Sequence, residues 1–88
     1  MTAGELLRAM LAAAGQSQAD LSRRTATSTK HVNLVANSKA RCSPAFAVRA
    51  EYALGVPGLA LQLLLAQAQT DLAEARAARV HDDREVPQ

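Results

Sequence analysis

Residues 23–39 read RRTATSTKHVNLVANSK, two runs of helical character parted by Thr25-Ala26-Thr27-Ser28. Neither Gly nor Pro stands between them. Ser28 is instead a good N-cap, so one helix can stop and the next begin within three or four residues. Taking about 100° of rotation per residue with Thr29 at zero, Lys30 falls at about 100°, Asn33 at about 40° and Asn37 at about 80°. Val32 and Val35 fall at about 300° and about 240° on the same wheel. The run is therefore two-faced, apolar behind and polar in front. Thr, Lys and Asn side chains can donate to or accept from base edges, Asn bidentately with adenine and Lys with guanine. A solvated surface helix would carry the same arc.

Charge is segregated around this run. Leu21 to Ala50 holds six basic residues (Arg23, Arg24, Lys30, Lys39, Arg41, Arg49) and no acidic one, whereas the remaining 58 residues hold four basic and eight acidic. The net charge of +2 conceals this. A polyanion would meet a cationic centre between neutral or acidic ends, although a basic face with no partner would look the same.

Punctuation divides the rest of the chain. Leu6, Leu7, Met10, Leu11 and Ala14 recur at helical spacing before Gly15, a natural C-terminal stop, which predicts a first helix over 1–15. Ser17 with Asp20 three places on is an acidic variant of the capping box and opens a second helix to about Thr25. The third follows Ser28 and leaves at Asn37 and Ser38. Ser43-Pro44 starts a fourth, with Ala47, Val48, Ala50 and Leu54 inward and Gly55 at its end. Pro57 opens a fifth, striped by Leu61, Leu64, Leu65, Ala68, Leu72 and Ala75 and fading near Arg79. This gives one all-α domain over 1–79 and a charged tail, 80–88, expected to be disordered.

Composition excludes several classes. A chain of 88 residues hides only about 60–65% of its extended surface, which leaves a thin core and little room for an enzyme pocket. Apolar residues are 49% of the total and chiefly Ala and Leu, with one Phe, one Tyr and no Trp, a balance that favours helix over strand. The single Cys42 allows no internal disulfide and reads as a small core residue, which suits a reducing compartment. The run LALQLLLA, Leu59 to Ala66, falls well short of the ~20 residues of a membrane span, and no signal segment is apparent. A cytoplasmic, nucleoid-associated protein without membrane contact is expected. One Cys and the distant His31 and His81 give no metal-ligand spacing, and the Asp82-Asp83 pair reads as solvated. We expect no catalytic residue, no metal and no cofactor.

The stretch SQADLSRRTATSTKHVNLVANSKARCSPAFAVRAEYALGVP resembles the helix-turn-helix of the XRE class, the family of lambda-type repressors, and most of all the HigA-type antitoxins of type II toxin-antitoxin pairs. GELLRAML is similar to that family's first helix and QAQTDLAEAR to its last, so the likeness spans roughly residues 3–78. It implies a five-helix lambda repressor-like DNA-binding domain, its helix-turn-helix formed by helices two and three, that dimerises and represses its own promoter. Carried over by position, Gln18 touches backbone or a neighbouring base, Ser28 a phosphate, and Thr29, Lys30 and Asn33 bases, while Asn37, Lys39 and Arg41 clamp phosphates. His31, at about 200° on the wheel, is expected at the flank of that surface. Two departures stand out: Ala26 and Ser38 occupy positions where the family usually has Gly, a cost of ~1 kcal/mol each if the backbone there is left-handed.

Leu59, Leu61, Leu63, Leu64 and Leu65 supply more apolar surface than one helix face can bury. Either helices one and four absorb it, or a partner does. We expect a homodimer through Leu61, Leu64, Leu65, Ala68 and Leu72, a surface on which a cognate toxin could also dock. The expected function is repression by binding operator duplex in the protein's own promoter, as an autoregulating HigA-type antitoxin. The alternatives are a regulator without a toxin, such as a phage-type switch protein, and a protein-interaction module that has lost DNA binding.

Overall fold

The computed structural model describes the chain through residue 85, with side chains through residue 79. Five helices follow one another: α1 (Ala3–Ala14), α2 (Gln18–Thr25), α3 (Thr29–Ala36), α4 (Pro44–Leu54) and α5 (Leu59–Glu85). No strand occurs among the described residues. The fold is all-α.

Local chemistry sets the ends. Thr2 and Ser17 each accept from the amide three residues on, and Glu5 and Asp20 return the bond to the cap backbone, so α1 and α2 both open with complete capping boxes. Those backbone hydrogen bonds hold both carboxyls below their usual range. The stabilisation they give is in place above the unfolded carboxylate pKa and is lost as pH falls through the lowered folded value. Ser28 caps α3 through the His31 amide, and Ser43 caps α4 through the Phe46 amide with Pro44 in the first turn. Gly15 and Gly55 close α1 and α4 in the left-handed region.

Two departures from the sequence expectation concern α5. The helix begins at Leu59 and not at Pro57, because Gly58 between them takes φ +85°, which no helix accommodates. At the other end it continues past Arg79 to Glu85. Residues 77–85 contain neither Gly nor Pro, and extending an existing helix costs far less than starting one. Residues 86–88 of the expected tail lie outside the described residues, as do the side chains of His81, Asp82 and Asp83.

The core gathers Ala3, Leu7 and Leu11 of α1, Leu21 of α2, Val32, Val35 and Ala36 of α3, Phe46, Ala47 and Ala50 of α4, and Leu59, Leu63 and Ala66 of α5, with Cys42 from the α3–α4 loop. α4 lies mainly on α5, α1 bridges α3 and α5, and α2 rests on α3 and α4. Burial of each large aliphatic side chain contributes about 1.5–3 kcal/mol. Val48, expected inside, is 43% exposed; it lies about 200° round α4 from the buried Phe46, so with Phe46 turned inward it faces out. Ala14 is exposed as well. The buried Thr25 hydroxyl stays satisfied by donating to the Leu21 carbonyl at 2.7 Å.

Close approach fixes where α3 ends. A Cβ on Gly4 would stand 2.6 Å from the carbonyl oxygens of Val35 and Ala36, so only glycine lets the start of α1 meet the last turn of α3. The Thr2 and Ser38 hydroxyls share a hydrogen bond of 2.9 Å across the same junction. Ala26 and Ser38, the two positions where the resemblance leads us to expect glycine, are both left-handed, with φ 53° and φ 59°. Relief of this strain should differ between the two. Ala26→Gly is expected to stabilise the protein by about 0.5–1 kcal/mol, a rise of several degrees in Tm. Ser38→Gly should be close to neutral, because it also loses the hydrogen bond to Thr2, worth about 1 kcal/mol. Thermal denaturation of the two variants side by side checks this.

Candidate nucleic-acid interface

The three-residue turn from Ala26 to Ser28 lets α3 start immediately beyond α2. Beneath it, the Ser22 hydroxyl donates to the Thr27 carbonyl, and the Thr29 hydroxyl donates to Ser22 at 3.2 Å. With Val32, Val35 and Ala36 buried, the opposite arc of α3 faces out: Thr29, Lys30, Asn33 and Asn37 are all exposed. Gln18, half-buried in the first turn of α2, joins them. Asn33 Nδ2 donates to Gln18 Oε1 at 3.1 Å, and Asn37 Nδ2 donates to Asn33 Oδ1 at 3.2 Å. Three amides thus form one string across two helices. Each still has a free amide hydrogen and spare acceptor capacity for a further partner.

Ser28 is exposed, but its hydroxyl already caps α3 by accepting from the His31 amide at 3.1 Å. What it leaves open is the positive end of the α3 dipole, with no acidic residue in the first turn to offset it. His31 is half-buried and stands edge-on against Phe46, ring centroids 5.8 Å apart, at the side of the arc and not on it.

The basic segment is less free in space than in sequence. Arg23 pairs with Asp20, Arg24 donates to the Ala53 carbonyl at 3.2 Å, and Arg41 pairs with Asp71 of α5. Lys30 and Lys39 are exposed and have no acidic partner among the described residues. Lys39 follows the left-handed Ser38 directly and its amide donates to the Leu34 carbonyl at 2.8 Å, which fixes the start of the loop. The remainder of the loop is held by α5. The Cys42 amide donates to Gln67 Oε1 at 2.9 Å, and Gln67 Nε2 donates to Asp71 at 3.1 Å. Neither Gln67 nor Asp71 stood out in the sequence; the only hint was their spacing of four on one helix, which lets one side chain orient the other.

On α5 the expected dimerisation residues separate into two sets. Leu64 is only half-exposed and packs against the core, beside Leu59, Leu63 and Ala66. Leu61, Leu65 and Leu72 are 64%, 55% and 53% exposed, and Ala68 is exposed between them. With Leu61 at zero, these four fall within about 60° of arc on the side opposite Leu63. Their steps of four, three and four are those of a coiled-coil seam.

Among the described residues no three His, Cys, Asp or Glu side chains lie close enough to hold a metal ion, and no helix is long and apolar enough to cross a membrane. No protein-family model, curated protein or solved structure matches the chain. Cys42 is buried, and burial pushes its thiol up to about 11. At pH 8 its reaction with an aromatic disulfide reagent should therefore be slow in the folded protein and should follow global unfolding in urea; rapid labelling without denaturant would show the thiol to be accessible.

Proposed function

We propose that the protein is a sequence-specific binder of double-stranded DNA with a lambda repressor-like helix-turn-helix, acting as a dimeric transcriptional repressor of its own promoter. The observation that carries this reading is the amide string Gln18–Asn33–Asn37, whose two asparagines are exposed together with Thr29 and Lys30 on the face of α3 opposite its buried valines. Paired amides are suited to the donor and acceptor pattern of adenine in the major groove, and the buried seating of α3 sets the side on which they are presented before DNA arrives. Lys39 and the open N-terminal end of α3 supply phosphate contacts, which position the helix without reading sequence.

One such unit touches few base pairs. Pairing two copies through the exposed arc of α5 would present two reading helices to half-sites about 34 Å apart or a multiple of that. Occupancy of an operator that overlaps the promoter then excludes polymerase. The likeness to HigA-type antitoxins adds a cognate toxin as a second partner and a cytoplasmic, nucleoid-associated location. A regulator of the same design without a toxin would share every feature of the DNA-facing side.

A second reading, a helical module for a protein partner with no DNA binding, draws on one observation: the leucine arc of α5 is more apolar than anything on the α3 side. The two separate on titration with duplex from the protein's own upstream region. Asn33→Ala should cost about 1–3 kcal/mol on the preferred duplex and much less on scrambled duplex. Lys39→Ala should weaken both alike and lower the salt slope by about 0.9. Failure of the unaltered protein to prefer any upstream fragment would leave the protein-interaction reading in possession.

The partner arc has its own test. Leu65→Asp places a charge on a side chain that is already 55% exposed in a single chain, so the fold should persist while light scattering reports a monomer in place of a dimer. An unchanged mass would remove the arc from the dimer.

A further inference from the structure

The resemblance to lambda-type repressors implies a phosphate-clamping role for Arg41, yet its guanidinium is engaged by the carboxylate of Asp71, 30 residues away on α5. A carboxylate on a guanidinium takes the same fork of N–H donors that a phosphate would take. We infer that Asp71 acts as a built-in substitute for a DNA phosphate, holding Arg41 in reserve and so setting how strongly, and how salt-dependently, the basic loop grips the duplex. The inference rests on the DNA-binding reading and deepens it.

Three features make this arrangement more than a chance surface pair. Asp71 is itself oriented: Gln67, one turn earlier, donates to the carboxylate oxygen that Arg41 also engages. Gln67 in turn accepts from the Cys42 amide, so the loop backbone beside Arg41 is tied to the same helix. The hydrogen bond from Arg41 and that from Gln67 hold the Asp71 carboxyl below the usual carboxylate range. Lys39, two residues before Arg41, lines the same hollow but has no such partner among the described residues. The loop therefore offers one free cation and one that is restrained.

With the pair in place, a raw charge count would overstate the grip. Each phosphate neutralised by a protein cation releases condensed counterions and adds about 0.9 to the salt slope, but a cation already paired within the protein adds nothing until its partner is displaced.

Fluorescence anisotropy with labelled upstream duplex, over about 50–200 mM salt, tests this on the full chain. Asp71→Asn keeps the shape and removes the competitor; it should tighten binding and steepen the slope by about 0.9. Glu74→Gln is the control, because Glu74 lines the same hollow and removes the same charge while leaving the pair intact. Its slope should match that of the unaltered protein. Arg41→Ala should leave the slope unchanged in the natural background and cancel the increase in the Asp71→Asn background.

Two results would overturn the role of Asp71: an unchanged slope for Asp71→Asn, or a flatter slope for Arg41→Ala alone, which would mean that Arg41 already reaches DNA. Glu74→Gln steepening the slope as much as Asp71→Asn would reduce the effect to bulk charge and overturn it too. If the unaltered protein binds no duplex, the DNA-binding reading itself fails; the other outcomes are read only on top of measurable binding, so the two failures are distinct.

Discussion

The rest of the molecule depends on how the back of α3 is seated. Val32, Val35 and Ala36 are fully enclosed, and the last turn of the helix presses its carbonyls onto α1 at the one place where a residue without a Cβ allows it. Rolling α3 by half a turn would expose two valines, at about 1.5–3 kcal/mol each, and would bury Asn33 and Asn37 away from the partners they now share. Both terms act in the same direction. The outward arc is therefore fixed by what lies behind it, and the amide string across α2 and α3 inherits its geometry from packing, not from its own weak surface hydrogen bonds.

Much of this architecture was legible in the sequence because caps and breakers act locally. Ser17 with Asp20, Ser28, Ser43-Pro44, Gly15 and Gly55 each satisfy or release backbone groups within one turn, and each sits where the helix boundary falls. Ala26 and Ser38 are the instructive cases. Their left-handed backbone follows from the turns around them, and residue type alone would not have placed them there. Gly58 shows the reverse: Pro57 is a good opening residue, but one positive φ immediately after it postpones the helix to Leu59.

What the sequence could not display is contact between distant segments. The stretch from Leu21 to Ala50 contains no acid, yet Asp20 folds back on Arg23 and Asp71 reaches across from α5 to Arg41. Linear charge segregation is thus partly undone in three dimensions. The fifth helix was ambiguous for another reason. Leu59, Leu63 and Ala66 face the core while Leu61, Leu65, Ala68 and Leu72 face away, so apolar residues lie on both sides and periodicity identifies a helix without saying which side is inside. Leu64, counted with the outward residues on spacing, lies at the boundary and leans inward. Val48 and Phe46 illustrate the same limit on α4: both are apolar, they lie about 200° apart on the helix, and only the neighbours decide between them.

The position of Gln67 and Asp71 constrains how the two faces of the protein can influence one another. Both residues belong to the same continuous helix as the exposed leucine arc, and both grip the loop that carries Lys39 and Arg41. A partner settling on the arc would meet a helix already docked on its own core through Leu59, Leu63 and Ala66. Energetic coupling through a packed element needs two discrete states that both sites bias. The Arg41–Asp71 pair that ties the loop to α5 is exposed, and pairs of that kind are worth about 0–1 kcal/mol. Association through α5 would therefore act on DNA binding chiefly by joining two reading helices, which multiplies affinity through effective concentration. Within each copy the ion pair would adjust the grip by only a modest factor, where pairing would supply the large one.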